Sequence, residues 1–303
     1  MRTLLFALSL SLAAQSPQAQ PQSGVPVKLT VTVEAKHGHD VPAIPRPDVM
    51  AHQDKTRIAV ADWVPAQGPH AGLELFILID DAADTSLGSQ LNDLRQFILA
   101  QPASTRIGIA YMHNGIADVL ENLTPDRARA AAALRLPLGN ITEGAGPYLS
   151  LTDLIKKWPV SMERHEVVMV SAGADPLAGP PPTNLYLDRA IDDAQRAGTI
   201  VYAIYTPHAG HFGHSFWTLN WGQNYLARLA EETGGDSFML GFGPPVSFAP
   251  YLAEISNRLE HQYIATLGMN PGTRAGFENV RLTTEVPNAE LISAKRVYVH
   301  LGG

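Results

Sequence analysis

The stretch Glu74-Leu-Phe-Ile-Leu-Ile-Asp80-Asp81-Ala-Ala-Asp84-Thr-Ser-Leu-Gly88 decides the fold. Leu75 to Ile79 is apolar without interruption. A run with no polar alternation reads as a strand buried on both faces, the central strand of a parallel sheet. An acidic cluster follows at once, and then Leu87, Leu91, Leu94, Phe97 and Ile98 at helical spacing. Open α/β sheets bind ligands beyond the carboxyl ends of their strands. Asp80, Asp81 and Asp84 therefore stand where a binding edge is expected.

The same alternation continues toward the C-terminus. Strands are expected at Arg106–His113, Asp118–Asn122, Glu166–Val170, Ile200–Tyr205 and Ser237–Leu240. Helices are expected near Ser86–Ala100, Asp126–Leu134, Tyr148–Trp158, Leu185–Ala197, Asn220–Thr233 and Phe248–Glu260. Thr124 is read as the cap of the second helix, with Pro125 at its first position. Gly198 follows the fourth helix as its C-terminal cap. Strands alternating with helices predict a doubly wound, mostly parallel, Rossmann-like α/β sheet.

Toward the N-terminus the pattern differs. Val27 to Val33 alternates with period two, a half-buried antiparallel strand, and Thr56 to Val64 reads as another. Pro42, Pro45 and Pro47 break regular structure between them. After Gln262 the alternation ends. Tyr263–Leu267, Val280–Glu285 and Ala294–His300 read as strands separated by the Pro271-Gly272 and Pro287-Asn288 turns. The chain thus divides into residues 20–70, a linker and small β element; 71–261, an α/β domain; and 262–303, a C-terminal β element. Two short flanking sheets are marginal alone, so the N- and C-terminal strands are expected to pair beside the α/β body.

Residues 1–19 read as a secretory signal. Arg2 gives the positive charge, Leu4 to Ala14 an apolar segment too short to span a bilayer, and Ala13 to Ser16 small residues for cleavage. An exported protein, periplasmic or secreted and without a membrane span, is the expectation. The 303 residues carry a net charge of −7, which argues against nucleic acid as a partner. Zero cysteines exclude disulfides, thiolate metal sites and cysteine nucleophiles. No G-x-G-x-x-G follows the first strand, and neither a P-loop nor a G-x-S-x-G elbow occurs.

These segments together resemble a von Willebrand factor type A domain, and more closely the acidobacterial-type VWFA-related family of exported proteins. The resemblance rests on the apolar strand into Asp80-Asp81, Thr85-Ser-Leu-Gly-Ser89 and Val167-Val-Met-Val-Ser171-Ala-Gly173. It rests also on Gly222-Gln223…Leu226…Leu229-Ala-Glu-Glu-Thr-Gly-Gly235 and Gln262-Tyr263-Ile264. It runs from about Val25 to His300. It implies a metal-ion-dependent adhesion site at the sheet edge, of form Asp-x-Ser-x-Ser with a loop threonine and a later aspartate. Here Asp80 matches the first aspartate, but Ala82 and Asp84 occupy the serine positions. Thr142 matches the threonine, and Ala172 stands at the later aspartate with Asp175 three residues on. The implied site is degenerate.

Two readings of that edge stay open. Asp80, Asp84, Thr142 and Asp175 hold a non-standard Mg²⁺ or Ca²⁺ through oxygen ligands, or the edge is a solvated acidic surface with no cofactor. Asp81, His208, His211, His214 and Trp217 are the candidate partner-binding residues. The three histidines lie three apart in a glycine-containing loop, read as a polar surface loop or a weak zinc motif. Trp217 is either a recognition anchor or a packing residue. The functional expectation is a non-enzymatic binding or adhesion-type module for a protein or cell-envelope ligand. The alternatives are a hydrolase with an unrecognised site and a structural envelope component that assembles through sheet edges.

Overall fold

A computed structural model describes residues 24–139, 146–175, 183–209, 216–239, 241, 243–270 and 272–300. The signal-like segment, Thr142, His211 and His214 lie outside these.

The described chain begins with three strands, β1 (Val25–Ala35), β2 (Val49–Gln53) and β3 (Thr56–Pro65). The α/β body follows as β4 (Leu73–Asp80), α1 (Leu91–Ala100), β5 (Thr105–His113), β6 (Ile116–Thr124), α2 (Arg127–Ala132) and α3 (Pro147–Lys157). It continues as β7 (Arg164–Ser171), α4 (Leu185–Ala197), β8 (Thr199–Tyr205), α5 (Phe216–Thr233), β9 (Ser237–Phe238) and α6 (Ala249–Glu260). Four strands close the chain: β10 (Gln262–Met269), β11 (Gly276–Thr284), β12 (Ala289–Ser293) and β13 (Arg296–Val299).

The α/β sheet has the order β6-β5-β4-β7-β8-β9. Its strands run parallel except β6, which is antiparallel to β5. All eight residues of β4 are buried. Leu73, Leu75, Ile77 and Ile79 face a core shared with α1, α2 and α6. Phe76 and Leu78 face the other core, shared with α3, α4 and α5. Burial on both faces is why this strand carries no polar alternation. The chain builds outward from β4 to β6 and then crosses back to β7 on the other side of β4. That crossing makes the C-terminal ends of β4 and β7 the switch point of the sheet.

Several boundaries differ from expectation for local reasons. The strand expected at Asp118–Asn122 begins earlier, because Asn114 (φ 50°) and Gly115 (φ 72°) form a two-residue hairpin turn from β5. Asp126, rather than Thr124, caps α2 by accepting from Arg129 N at 3.0 Å. The helix expected from Ser86 is split: a 3-10 turn, Thr85–Ser89, precedes α1. β2 and β12 were absent from the expectation, since five-residue strands leave little periodicity to read.

The flanking strands form one seven-stranded sheet, β12-β1-β10-β3-β2-β11-β13, with antiparallel neighbours. It is larger than the small element expected and holds its own core, in which Val31, Val33, Ala51, Ala265, Leu267 and Met269 are almost fully buried. The two bodies share a polar seam. Arg164 donates to Ala71 O at 3.2 Å, to Leu259 O at 3.3 Å and to the Gln262 side chain. Gln262 Nε2 in turn donates to the Tyr202 hydroxyl at 3.2 Å. Arg258 bridges Glu34 of β1 and Asp236. Glu166 lies in this seam, fully buried.

Candidate functional site

β4 ends in Asp80, and β7 pairs with it in parallel so that Ile79 stands opposite Val170. The next residues, Asp80 and Ser171, are therefore neighbours at the switch point. Asp80 is 1% exposed and every contact it makes is internal. Its Oδ1 accepts from Ala82 N at 2.9 Å. Its Oδ2 accepts from Ser171 Oγ at 2.8 Å and lies 3.0 Å from His208 Nε2.

His208 is not on the surface: it is 4% exposed. Its backbone forms an isolated antiparallel bridge with Ala83. Asp84 N donates to Pro207 O at 3.2 Å and Ala209 N to Ala82 O at 2.9 Å. The loop after β8 is thus stitched to the loop after β4, with the imidazole tucked beneath. Burial pushes the imidazole toward its neutral form, but the Asp80 carboxylate, by charge and by hydrogen bond, outweighs this. His208 is held above the ordinary histidine value. The buried carboxylate thus has a basic partner from the chain itself.

The other acids of the cluster are also engaged. Asp81 forms a two-pronged pair with Arg135, at 2.6 and 2.7 Å. Arg135 stacks over the Tyr111 ring at 3.9 Å from its centroid. Asp81 Oδ1 also accepts from Leu138 N at 3.3 Å. Asp84, half-buried, accepts from Ser86 N at 2.7 Å and so caps the Thr85–Ser89 turn. Asp175 is 8% exposed on the segment that follows β7. Burial, then the charges of Asp175, Tyr225 and Asp80, holds the phenol of the buried Tyr148 well above its ordinary value. Tyr148 donates to Gly173 O at 2.7 Å.

Of the acidic edge foreseen in the sequence, Asp80 and Asp81 are thus met by basic side chains of the chain itself, and Asp84 by a backbone N–H. Among the described residues, no group of three or more His, Cys, Asp or Glu side chains is disposed to hold a metal ion. Thr142, one of the expected ligands, falls outside them. Sequence reasoning overlooked Ser171 and Arg135. Ser171 had a readable signal, its place at the end of an apolar strand parallel to β4. Arg135 had none, since 54 residues separate it from Asp81.

The edge continues onto α5. Gly222 presses this helix against the segment after β7: a Cβ there would lie 2.1 Å from Ala172 O. Gly173, at φ +66°, faces the same contact. Gly222→Ala is expected to lower stability by about 1–3 kcal/mol through overpacking, read as a drop in the chemical-denaturation midpoint. A variant as stable as the wild type overturns this contact. On the N-terminal side of Gly222, Phe216, Trp217 and Trp221 are 58%, 64% and 36% exposed. The two indoles lie 6.1 Å apart. Leu138, beside Asp81, is 60% exposed. Trp217 thus lies largely at the surface, packed against the rings of Phe216 and Trp221.

No family model and no curated protein sequence matches the chain. Among solved structures it is similar to a von Willebrand factor type A protein from Catenulispora acidiphila, at 11% identity and a TM-score of 0.46. That match covers 92% of this chain and 75% of the other. It is also similar to the proximal thread matrix protein 1 of the mussel byssus, whose metal-ion-dependent adhesion motif is occupied by zinc. There the identity is 12% and the TM-score 0.47, over 66% of this chain and 48% of the other. An aerotolerance-related membrane protein from Bacteroides fragilis matches at 11% identity and a TM-score of 0.45, over 62% of this chain and 98% of its own.

Proposed function

We propose that the protein is a non-catalytic, exported binding module. It engages a protein partner of the cell envelope through the strand-end edge, and that edge needs no metal ion. The observation that carries this reading is the 3.0 Å contact of His208 Nε2 with Asp80 Oδ2. Three of the roughly four lone-pair sites of this carboxylate face the chain's own donors, and the group is only 1% exposed, so it offers little to a partner's cation. What the edge offers a partner is apolar: Trp217, Trp221 and Leu138 on its outer surface, the class of side chain that anchors protein interfaces. Ser171 supports no hydrolytic reading, because its hydroxyl is fully buried and a substrate cannot reach it.

Two measurements test this. In isothermal titration with Mg²⁺ and with Ca²⁺, the wild-type protein is expected to show no binding tighter than about 1 mM. Micromolar binding that Asp80→Asn abolishes would sink the metal-free reading. Immobilised protein is expected to retain its envelope partner in the presence of a chelator and to lose it in the Trp217→Ala, Trp221→Ala double variant. Release by chelator, or retention by the double variant, would place recognition elsewhere.

A further inference from the structure

The C-terminal end of α4 meets the seven-stranded sheet around a small cavity, at the end of the α/β sheet opposite Asp80. Its volume is about 160 Å³. Sites for drug-sized ligands measure about 300–1,000 Å³, so this one admits only a few non-hydrogen atoms. Its walls are the last turn of α4, the start of β8, the first half of β1, and Val297 and Tyr298 of β13.

Two of the lining side chains are cations, Lys28 and Arg196, and none is a carboxylate. Both cations are exposed, and among the described residues neither forms an ion pair. The carboxylates of the preceding turn of α4 are engaged elsewhere, Asp192 with Arg296 at 2.7 Å and Asp193 with Arg189 at 3.7 Å. The Arg196 guanidinium lies over the Tyr298 ring, 3.9 Å from its centroid. Stacking holds the group by its face and leaves the N–H donors, which lie in its plane, to another partner. A helix C-terminus carries about half a negative charge. Two full cations outweigh it, and Gly198, at φ 65°, folds its N–H back onto the carbonyls of Ala194 and Gln195.

Behind the cations two buried polar atoms have no hydrogen-bond partner among the described residues: Thr199 Oγ1 and Gln195 Oε1. Thr199 is 2% exposed and Gln195 4%, and both line the cavity. The orientation of the Gln195 amide is set, because its Nε2 donates to Glu232 O at 2.7 Å and a flipped amide would turn oxygen against oxygen. Oε1 is therefore an acceptor that calls for a donor from whatever fills the space. The β1 wall adds an open backbone edge: β12 pairs with β1 only from Val31 to Ala35, so Lys28 and Thr30 have no strand partner on that side.

The cavity thus asks for a compact anion that also carries a proton. Sulfate and acetate offer acceptors alone. Hydrogen phosphate offers oxygens to Arg196, Lys28 and the Thr199 hydroxyl, an O–H to Gln195 Oε1, and a charge that balances the two cations. We propose that this cavity binds inorganic phosphate as HPO₄²⁻, with Arg196 and Lys28 as its charge partners and Gln195 as the acceptor that recognises its proton. The site is separate from the partner-binding edge.

The test is isothermal titration of the full protein with phosphate and with sulfate at pH 8 and low ionic strength. There both ions carry two negative charges and only phosphate keeps a proton. Phosphate is expected to bind saturably at one site per chain and sulfate about tenfold more weakly. Arg196→Gln is expected to weaken phosphate about tenfold or more, Thr199→Val about fivefold, and Lys28→Gln about threefold. No saturable binding by the wild type, or phosphate binding unchanged in both Arg196→Gln and Lys28→Gln, overturns the site. Equal affinity for phosphate and sulfate overturns the assignment of Gln195. Lys28→Gln alters an exposed side chain with no partner to strand, so the test stays decisive if Arg196→Gln loosens the Tyr298 contact, which its thermal unfolding transition reports.

Discussion

Asp80→Ala is expected to lower the free energy of unfolding by about 3–5 kcal/mol at pH 6, the range for removing one member of a buried charged pair. The substitution strands three groups at once: Ala82 N, Ser171 Oγ and His208 Nε2 lose their common acceptor. Two of them are on side chains no more than 4% exposed, so water cannot replace the lost partner without opening the edge. The His208 part has a distinct pH signature. Its native value is raised above 6.5, so the unfolded chain gives up the proton first as pH rises. The stabilisation is complete below 6.5 and is lost as pH rises through the native value. Urea unfolding of the wild type, Asp80→Ala, His208→Ala and the double variant at pH 6 and pH 9 measures the coupling. A coupling that is zero at pH 6, or as large at pH 9 as at pH 6, would remove the charged pair from the account.

Glu166→Gln is expected to do the opposite and make the protein more stable above neutral pH. Glu166 is fully buried on β7 at the seam between the two bodies, and neither carboxyl oxygen has a hydrogen-bond partner among the described residues. Arg164 is its nearest cation, at 3.8 Å. Burial dominates over Arg164, Gln262 and Tyr202, and pushes the carboxyl up to about 7 from 4.5. Between those values the native state holds a proton that the unfolded state has released. Stability is therefore highest below 4.5 and falls as pH rises through 7. The decline is of the order of 3 kcal/mol. Glutamine keeps the shape and removes the ionisation, so the decline between pH 5 and 8 is expected to flatten. At pH 8 the variant is expected to exceed the wild type by about 2–3 kcal/mol. Denaturant midpoints across that range check this. Equal stability at pH 8 together with an unchanged slope would show that Glu166 does not titrate across the range.

The α/β body was legible in the sequence because its signals are local. Leu75 to Ile79 is apolar because β4 is buried on both faces, and the helices after it carry their stripes at fixed spacing. The C-terminal cap of α4 could be read from Gly198, whose chemistry acts within one turn. The seven-stranded sheet was only half legible. Its strands come from the two ends of the chain, and the five-residue β2 and β12 each pair with a strand from the opposite end, β11 and β1.

The edge itself divides along the same line. That carboxylates crown the central strand was written in Asp80, Asp81 and Asp84, because a strand end is a position along the chain. What those carboxylates do was not. His208 lies 128 residues from Asp80 and Arg135 lies 54 from Asp81, and no periodicity connects them. The sequence alone determined which atoms of negative charge gather at the switch point. Only the tertiary structure decided that the chain's own cations meet them there, since a buried charge is tolerated only when folding brings its partner within hydrogen-bond reach.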